Sequence, residues 1–234
     1  MFYYIIFSLT VFYIQINYIL SDDINCILTD EHRLAVLHAH NKYREKLACG
    51  EVTDSSNKTL PGGILYRFIY NKTMEKLSQE TANKCQMKHS NDTLYGENLY
   101  ASSYSMNITD ALIAAVDMWW AEKDACPIAA NNLNATDAVW QGCGHWIPMA
   151  QSQSIQISCG VSNTCGSQDW CATAYNCKQT TLVSCNYFNP SYNGDNQIYT
   201  AGNKCTKNED CSVYKNSVCE PSGLCRSPNK WQLQ

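Results

Sequence analysis

The spacing of apolar positions changes character three times along this chain. Residues 1–20, MFYYIIFSLTVFYIQINYIL, are apolar without any period and uncharged up to an abrupt polar stop at Ser21-Asp22-Asp23. From Thr29 the period is helical. Val36, His40, Tyr43 and Leu47 recur at i, i+4, i+7 and i+11 and so share one stripe of a helix. Thr29 suits its N-cap, and Asp30 and Glu31 put negative charge at the positive end of the helix dipole. Asn71 can cap a second helix with Met74, Leu77, Thr81 and Cys85 on one face. Thr109 can cap a third, with Leu112, Val116 and Trp119 inward and Glu122 near its end. The period then drops to two. Ser154–Val161 alternates Ile155, Ile157, Cys159 and Val161 with Ser154, Gln156, Ser158 and Gly160, the clearest strand of the chain. Thr180–Phe188 predicts a second strand, and the two form an antiparallel hairpin. Ile64–Tyr70 has the aromatic and β-branched content of a shorter strand, and Cys49–Gly63 predicts an exposed loop. Helices early and strands late point to an α+β layered fold.

A segment of about twenty apolar residues can cross a bilayer, but at the extreme N-terminus it is expected to be a secretory signal peptide. Residues 1–20 therefore stand outside the fold, and no later stretch suits stable membrane insertion. Fourteen cysteines follow: Cys26, Cys49, Cys85, Cys126, Cys143, Cys159, Cys165, Cys171, Cys177, Cys185, Cys205, Cys211, Cys219 and Cys225. An even number behind a signal peptide predicts a secreted, extracellular protein with up to seven disulfides, each worth about 2–4 kcal/mol. Thiolate zinc sites are disfavoured because no paired C-x-x-C ribbon occurs. Cys165, Cys171 and Cys177 predict a stapled loop between the two long strands. Residues 202–234 hold four cysteines in a polar stretch too small for its own apolar core. They predict a cysteine-rich C-terminal appendage with two internal bridges, behind a main domain over 21–201. Sequons at Asn57, Asn71, Asn91, Asn107 and Asn134 predict N-glycans. The net charge of −4 argues against a nucleic-acid partner.

The candidate chemistry lies in four short motifs: Lys88-His89-Ser90, Gly96-Glu97-Asn98, Trp120-Ala121-Glu122 and Gly144-His145-Trp146. Each titratable residue has a plain reading when taken singly. His89 fits a surface loop, Glu97 a hydrogen-bond anchor, Glu122 a solvated helix end and His145 a turn. Should they converge, His89 and His145 would suit a divalent cation such as zinc, with Glu97 and Glu122 holding the imidazoles from behind. A metal-bound water can act as a nucleophile, but hydrolysis also needs an oriented base and an oxyanion stabiliser. No G-x-S-x-G elbow or H-E-x-x-H helix is present. His40 and Arg44 share the buried face of the first helix and predict a structural role, with His40 hydrogen-bonded in the core. Tyr95, Tyr100 and Tyr104, with Leu94, Leu99 and Met106, form an aromatic and apolar stretch beside Glu97. No Arg-Gly-Asp or Lys-Gly-Asp occurs, so an integrin ligand has no motif behind it.

Several segments in order carry a family resemblance. They are His40-Asn41-Lys42-Tyr43-Arg44, Asn71 to Cys85, His89-Ser90, Gly96-Glu97-Asn98-Leu99-Tyr100, Gly144-His145 with Cys159-Gly160-Val161 fourteen residues on, and Cys185-Asn186-Tyr187 with Pro190 and Gly194. Together they resemble the CAP superfamily of cysteine-rich secretory, antigen 5 and pathogenesis-related-1 proteins, in its nematode venom-allergen-like branch. The resemblance implies an α–β–α sandwich with a central antiparallel sheet. It implies that His89, Glu97, Glu122 and His145 line one cleft whose histidines bind zinc or another divalent ion. It also implies sterol or fatty-acid binding, here through Tyr95, Leu99, Tyr100 and Tyr104. The chain departs from similar proteins after His145, where Ile147, Pro148 and Gln151 replace the usual Thr, Gln and a later Trp. A hydroxyl and an amide that would orient a water are lost. The expectation is a non-enzymatic secreted protein, monomeric or weakly dimeric, that binds a divalent cation and a sterol or lipid. It would modulate host immune or haemostatic responses through a host cell-surface or immune protein. The alternatives are a receptor- or integrin-directed antagonist without a lipid role, and a metal-dependent hydrolase using the cleft.

Overall fold

The computed structural model describes residues 28–228 apart from 55, 92–95, 127, 129–132, 170, 172–176 and 189–196. Residues 1–20, expected to be a signal peptide, and Tyr95 fall outside the described residues. Helix α1 (Asp30–Ala48) starts at Thr29 as its sequence predicts. The Thr29 hydroxyl accepts the His32 N–H, and the Thr29 N–H donates to the His32 ring. The buried stripe of α1 is Val36, Leu37, His40, Arg44 and Leu47, with Arg33 at its start. Tyr43, predicted on the same stripe, lies half-buried, stacked 4.7 Å from Trp120 and donating its hydroxyl to Asp117 at 2.8 Å.

Two polar residues on this stripe organise the core. Arg44 is fully buried and donates to five carbonyls: Tyr66 (2.7 Å), Met149 (2.7 Å), Gln151 (2.9 Å), Ser152 (3.2 Å) and Ser154 (3.3 Å). Its guanidinium also lies 4.2 Å from the Phe68 ring centre. Burial lowers its pKa to about 9, so it stays charged at neutral pH. His40 bonds the Val36 carbonyl through Nδ1 (2.8 Å) and the Tyr187 hydroxyl through Nε2 (2.9 Å). A carbonyl only accepts, so Nδ1 carries the proton and Nε2 accepts from Tyr187.

The sheet has the order β1-β3-β4-β2, with β1 (Ile69–Tyr70), β2 (Gly96–Ser102), β3 (Gln156–Cys165) and β4 (Thr180–Phe188). β3 and β4 form the predicted antiparallel hairpin, with Cys159 opposite Cys185 and disulfide-bonded to it. β2 extends the sheet antiparallel to β4, while β1 is parallel to β3. The sheet is therefore mixed at one edge rather than wholly antiparallel. Of the strand predicted over Ile64–Tyr70, the two residues Ile69 and Tyr70 form β1. Tyr66 gives its carbonyl to Arg44 and its N–H to Ser152, and Arg67 N–H turns to Cys225. The loop predicted exposed between Cys49 and Gly63 buries Val52 and Leu60 in the core.

Alternation along β3 does not separate a dry face from a wet one. Its polar side is covered by α2 (Lys72–Asn83), capped by Asn71 as predicted. A Cβ on Gly160 would lie 2.4 Å from Gln79 Cα, so glycine is required for this approach. Ser78 bonds Ser158 and Asn186, and Gln79 pairs with both backbone groups of Val161. The buried face of α2 is thus Met74, Glu75, Ser78, Gln79, Thr81 and Ala82, not the stripe through Leu77 and Cys85. Glu75 is held by Arg33 and the Tyr70 hydroxyl at 2.7 Å. The other face of the sheet carries α1, α3 (Ile108–Ala121) and the short α5 (Trp146–Ala150), which completes an α–β–α sandwich. Asn107, rather than Thr109, caps α3 by accepting the Thr109 N–H.

Among the described residues, six disulfides link Cys85–Cys165, Cys126–Cys143, Cys159–Cys185, Cys171–Cys177, Cys205–Cys219 and Cys211–Cys225. Cys49 is free and Cys26 lies outside the described residues. The last two bridges staple the C-terminal segment, whose strands β5 (Val218–Cys219) and β6 (Cys225–Arg226) pair antiparallel. This segment shares an apolar cluster with Tyr66 and Ile155, and Glu220 pairs with Arg67. Four sequon asparagines, Asn57, Asn91, Asn107 and Asn134, are exposed. Asn71 differs, since its Nδ2 donates to buried Gln156 at 2.7 Å while its oxygen caps α2.

Burial lowers the His40 pKa to about 4, below the unfolded value of about 6.5. The unfolded chain then binds a proton that the native state refuses, so the contribution is intact above pH 6.5 and is lost as pH falls towards 4. We expect about 3 kcal/mol of stability to disappear over that window, read from urea midpoints at pH 7, 5.5 and 4. His40→Gln should be less stable at pH 7 and show a flatter profile.

Candidate functional site

The site is built around the edge strand β2. Neighbouring residues on a strand point to opposite faces of the sheet, and Glu97 and Asn98 each organise one side. Glu97 lies opposite Asn186, on the face covered by α2. Its carboxylate is buried. One oxygen accepts the Ser90 N–H at 2.7 Å and bonds His89 Nδ1 at 3.0 Å, and the other lies 3.5 Å from Ser184 Oγ. His89 follows α2 by way of Cys85, which the bridge to Cys165 ties to the end of β3. Its ring remains 62% exposed.

Asn98 is buried on the opposite face. Its Nδ2 donates to the His145 carbonyl at 2.8 Å and to the Tyr187 hydroxyl at 3.2 Å. His145 precedes α5 and is gripped a second time by Glu122. One oxygen of Glu122 bonds His145 Nδ1 at 2.6 Å and the other accepts the His145 N–H at 2.8 Å. Glu122 ends α3, where a carboxylate opposes the helix dipole. The two donors from His145 offset that repulsion. Trp119, whose indole N–H donates to the Leu99 carbonyl, stacks 6.3 Å from the His145 ring at 16°. The Cys126–Cys143 bridge then ties the 3-10 turn Glu122–Ala125 to α4 (Asp137–Cys143), two residues before His145. Gly144 makes the turn between them, and a Cβ there would meet the Trp140 carbonyl at 2.8 Å.

A carboxylate only accepts, so Nδ1 of each imidazole carries a proton, and in the neutral ring the lone pair lies on Nε2. His89, Glu97, Glu122 and His145 line one cleft of about 330 Å³, with Asn98, Trp140, Gln141, Gly142 and Gly144. Two neutral imidazoles, each turned by a carboxylate, are a donor set that fits a divalent cation of zinc type. The sulfurs of Cys205, Cys211 and Cys219 also lie within 4.8 Å of one another. All three are in disulfides, so they offer no thiolate.

The residues after His145 contribute to packing. Ile147 and Pro148 are buried in α5, and Gln151 gives its carbonyl to Arg44. Pro148 sits in the first turn, where no intrahelical N–H is used. Its missing donor therefore costs nothing there. The aromatic stretch is described only in part, since Leu94 and Tyr95 fall outside the described residues. Leu99 is buried in the core, Tyr100 is half-buried with its hydroxyl on Met106 Sδ, and Tyr104 is 61% exposed. Asn98, the Ser90 N–H, Trp119 and Tyr187 were not anticipated as parts of the site. The signal for Asn98 was present, because a polar residue next to Glu97 on a strand must face the other way.

Residues 37–187, well over half of the chain, match the cysteine-rich secretory protein (CAP) family. The Ancylostoma secreted protein of Ancylostoma caninum is 26% identical over 206 residues, which are 86% of this chain and 44% of that protein. The chain thus spans less than half of that relative's length. Among solved structures, BmVAL-1 superposes with a TM-score of 0.73 at 25% identity, covering 87% of this chain and 97% of that one. NaASP2, crystallised with Zn2+, gives 0.69 at 26% identity, covering 87% and 98%.

The carboxylate contacts predict that the neutral rings of His89 and His145 are both Nδ1–H tautomers. Long-range 15N–1H correlation spectra of metal-free protein should show this pattern for both rings. In Glu122→Gln the His145 ring should lose its single-tautomer signature while His89 keeps its own.

Proposed function

The chain belongs to the CAP family of cysteine-rich secretory proteins, and on that premise we propose that it acts extracellularly by binding, with a divalent cation held between His89 and His145. The observation that carries this reading is the pairing of each imidazole Nδ1 with its own carboxylate, Glu97 at 3.0 Å and Glu122 at 2.6 Å. Such partners fix the ring, select the tautomer and raise the basicity of the free nitrogen. The zinc in the NaASP2 crystal supports the choice of cation. A bound ion would supply positive charge and open positions for ligand oxygens, since two protein nitrogens leave a four-coordinate zinc half filled.

Binding is favoured over hydrolysis because Ile147 and Pro148, buried in α5 after His145, bring no hydroxyl or amide to orient a water. Glu97 accepts from His89 and Ser90, and Glu122 accepts twice from His145. Each carboxylate is thereby fixed on its imidazole and holds the ring for a cation. The six disulfides suit an oxidising, extracellular setting, and no described helix is long and apolar enough to cross a membrane.

Calorimetric titration of metal-stripped protein with zinc tests the reading. Wild type should bind one zinc ion, and His89→Ala combined with His145→Ala should abolish binding. Glu122→Gln and Glu97→Gln should weaken it by about 10–100-fold, with folding checked by near-UV circular dichroism. Zinc binding by the double alanine variant as tight as that of wild type would sink the proposal.

A further inference from the structure

The cleft is larger than a cation needs, and one wall is an aromatic face. Its volume of about 330 Å³ equals roughly ten water molecules at about 30 Å³ each. A zinc ion with a few waters leaves space for a further ligand of about a dozen heavy atoms. Trp140 lines this space and is 49% exposed, while Trp119 and Trp146 are buried. Trp140 lies on α4, whose inward residues are Val139 and Cys143, so the core does not require its indole. The helix that carries it is nevertheless fixed. Cys143 is disulfide-bonded, and the turn after it admits no side chain at Gly144. A large, exposed and rigidly mounted aromatic face beside polar side chains is the arrangement that binds a flat ring with hydroxyls at its edge.

The remaining lining narrows the ligand class. Gln141 offers an amide that both donates and accepts. The two carboxylates would balance the charge of a divalent cation, so the loaded cleft has no excess charge to attract a polyanion. A cation held by the two imidazoles would leave positions that neutral oxygen ligands could fill.

We propose that the cation-loaded cleft binds a neutral pyranose, with two adjacent hydroxyls on the cation and the apolar face of the ring stacked on Trp140. The inference rests on the cation-binding reading above. It assigns Trp140 as a ligand contact that is not a cation ligand.

Saturation-transfer NMR with methyl α-D-mannopyranoside tests it, run on zinc-loaded and metal-stripped protein alongside calorimetric zinc titration. The sugar should bind the zinc-loaded form at millimolar concentration and fail to bind the stripped form. Trp140→Ala should weaken sugar binding about tenfold, the scale of one aromatic contact, with zinc affinity unchanged. Trp140→Tyr should retain most of the sugar affinity. If zinc binds but the sugar does not, or Trp140→Ala binds it as well as wild type, the saccharide inference is wrong and the cation site stands. If zinc itself does not bind, both fall together.

Discussion

The buried guanidinium of Arg44 is the contact on which the rest of the architecture depends. Five backbone carbonyls, from Tyr66, Met149, Gln151, Ser152 and Ser154, converge on it. They come from the run before β1, the end of α5 and the entry into β3, none of which bonds these groups within a regular element. Buried carbonyls need donors, and arginine brings five in a rigid planar fork. Burial of the charge is offset by these dipoles and by the Phe68 ring rather than by an acid. Deleting the fork would strand several carbonyls at once, where α1, the sheet and α5 meet.

One turn earlier, His40 carries the same helix into the functional site. Its ring accepts from Tyr187, whose oxygen accepts from Asn98, and Asn98 holds the His145 carbonyl. The placement of one cleft histidine is therefore set by a buried chain that begins on α1. The other is placed independently, through Glu97, Ser90 and the Cys85–Cys165 bridge on the far side of the sheet. The cleft straddles an edge strand, and its halves are joined at two successive residues, Glu97 and Asn98. Such a design gives two imidazoles of fixed tautomer on separately braced supports.

Much of this was legible in the sequence where local chemistry decides. Thr29 and Asn71 cap as their side chains require, and Thr180–Phe188 pairs over its predicted length. The quartet of His89, Glu97, Glu122 and His145 was legible as a set of residue types, with convergence implied only by resemblance. What failed did so where tertiary contacts override local pattern. The Ser158 and Gly160 face of β3 looks solvent-exposed, but α2 buries it with its own polar residues, Ser78 and Gln79. The Ile64–Tyr70 strand is cut short because Arg44 and Cys225 claim its backbone groups. Leu99 is buried and gives its carbonyl to the Trp119 indole, a contact that local pattern does not reveal. The cleft side of Asn98 follows from strand alternation, but its partner His145 lies 47 residues away and could not be read from spacing.

The most direct test of this account is a crystal structure of zinc-soaked protein with anomalous data at the zinc edge. A single strong peak is expected about 2.0–2.1 Å from Nε2 of both His89 and His145. Glu97 and Glu122 should remain on the Nδ1 atoms. A zinc ion bound through Nδ1, ligated directly by either carboxylate, or found away from both histidines would contradict it.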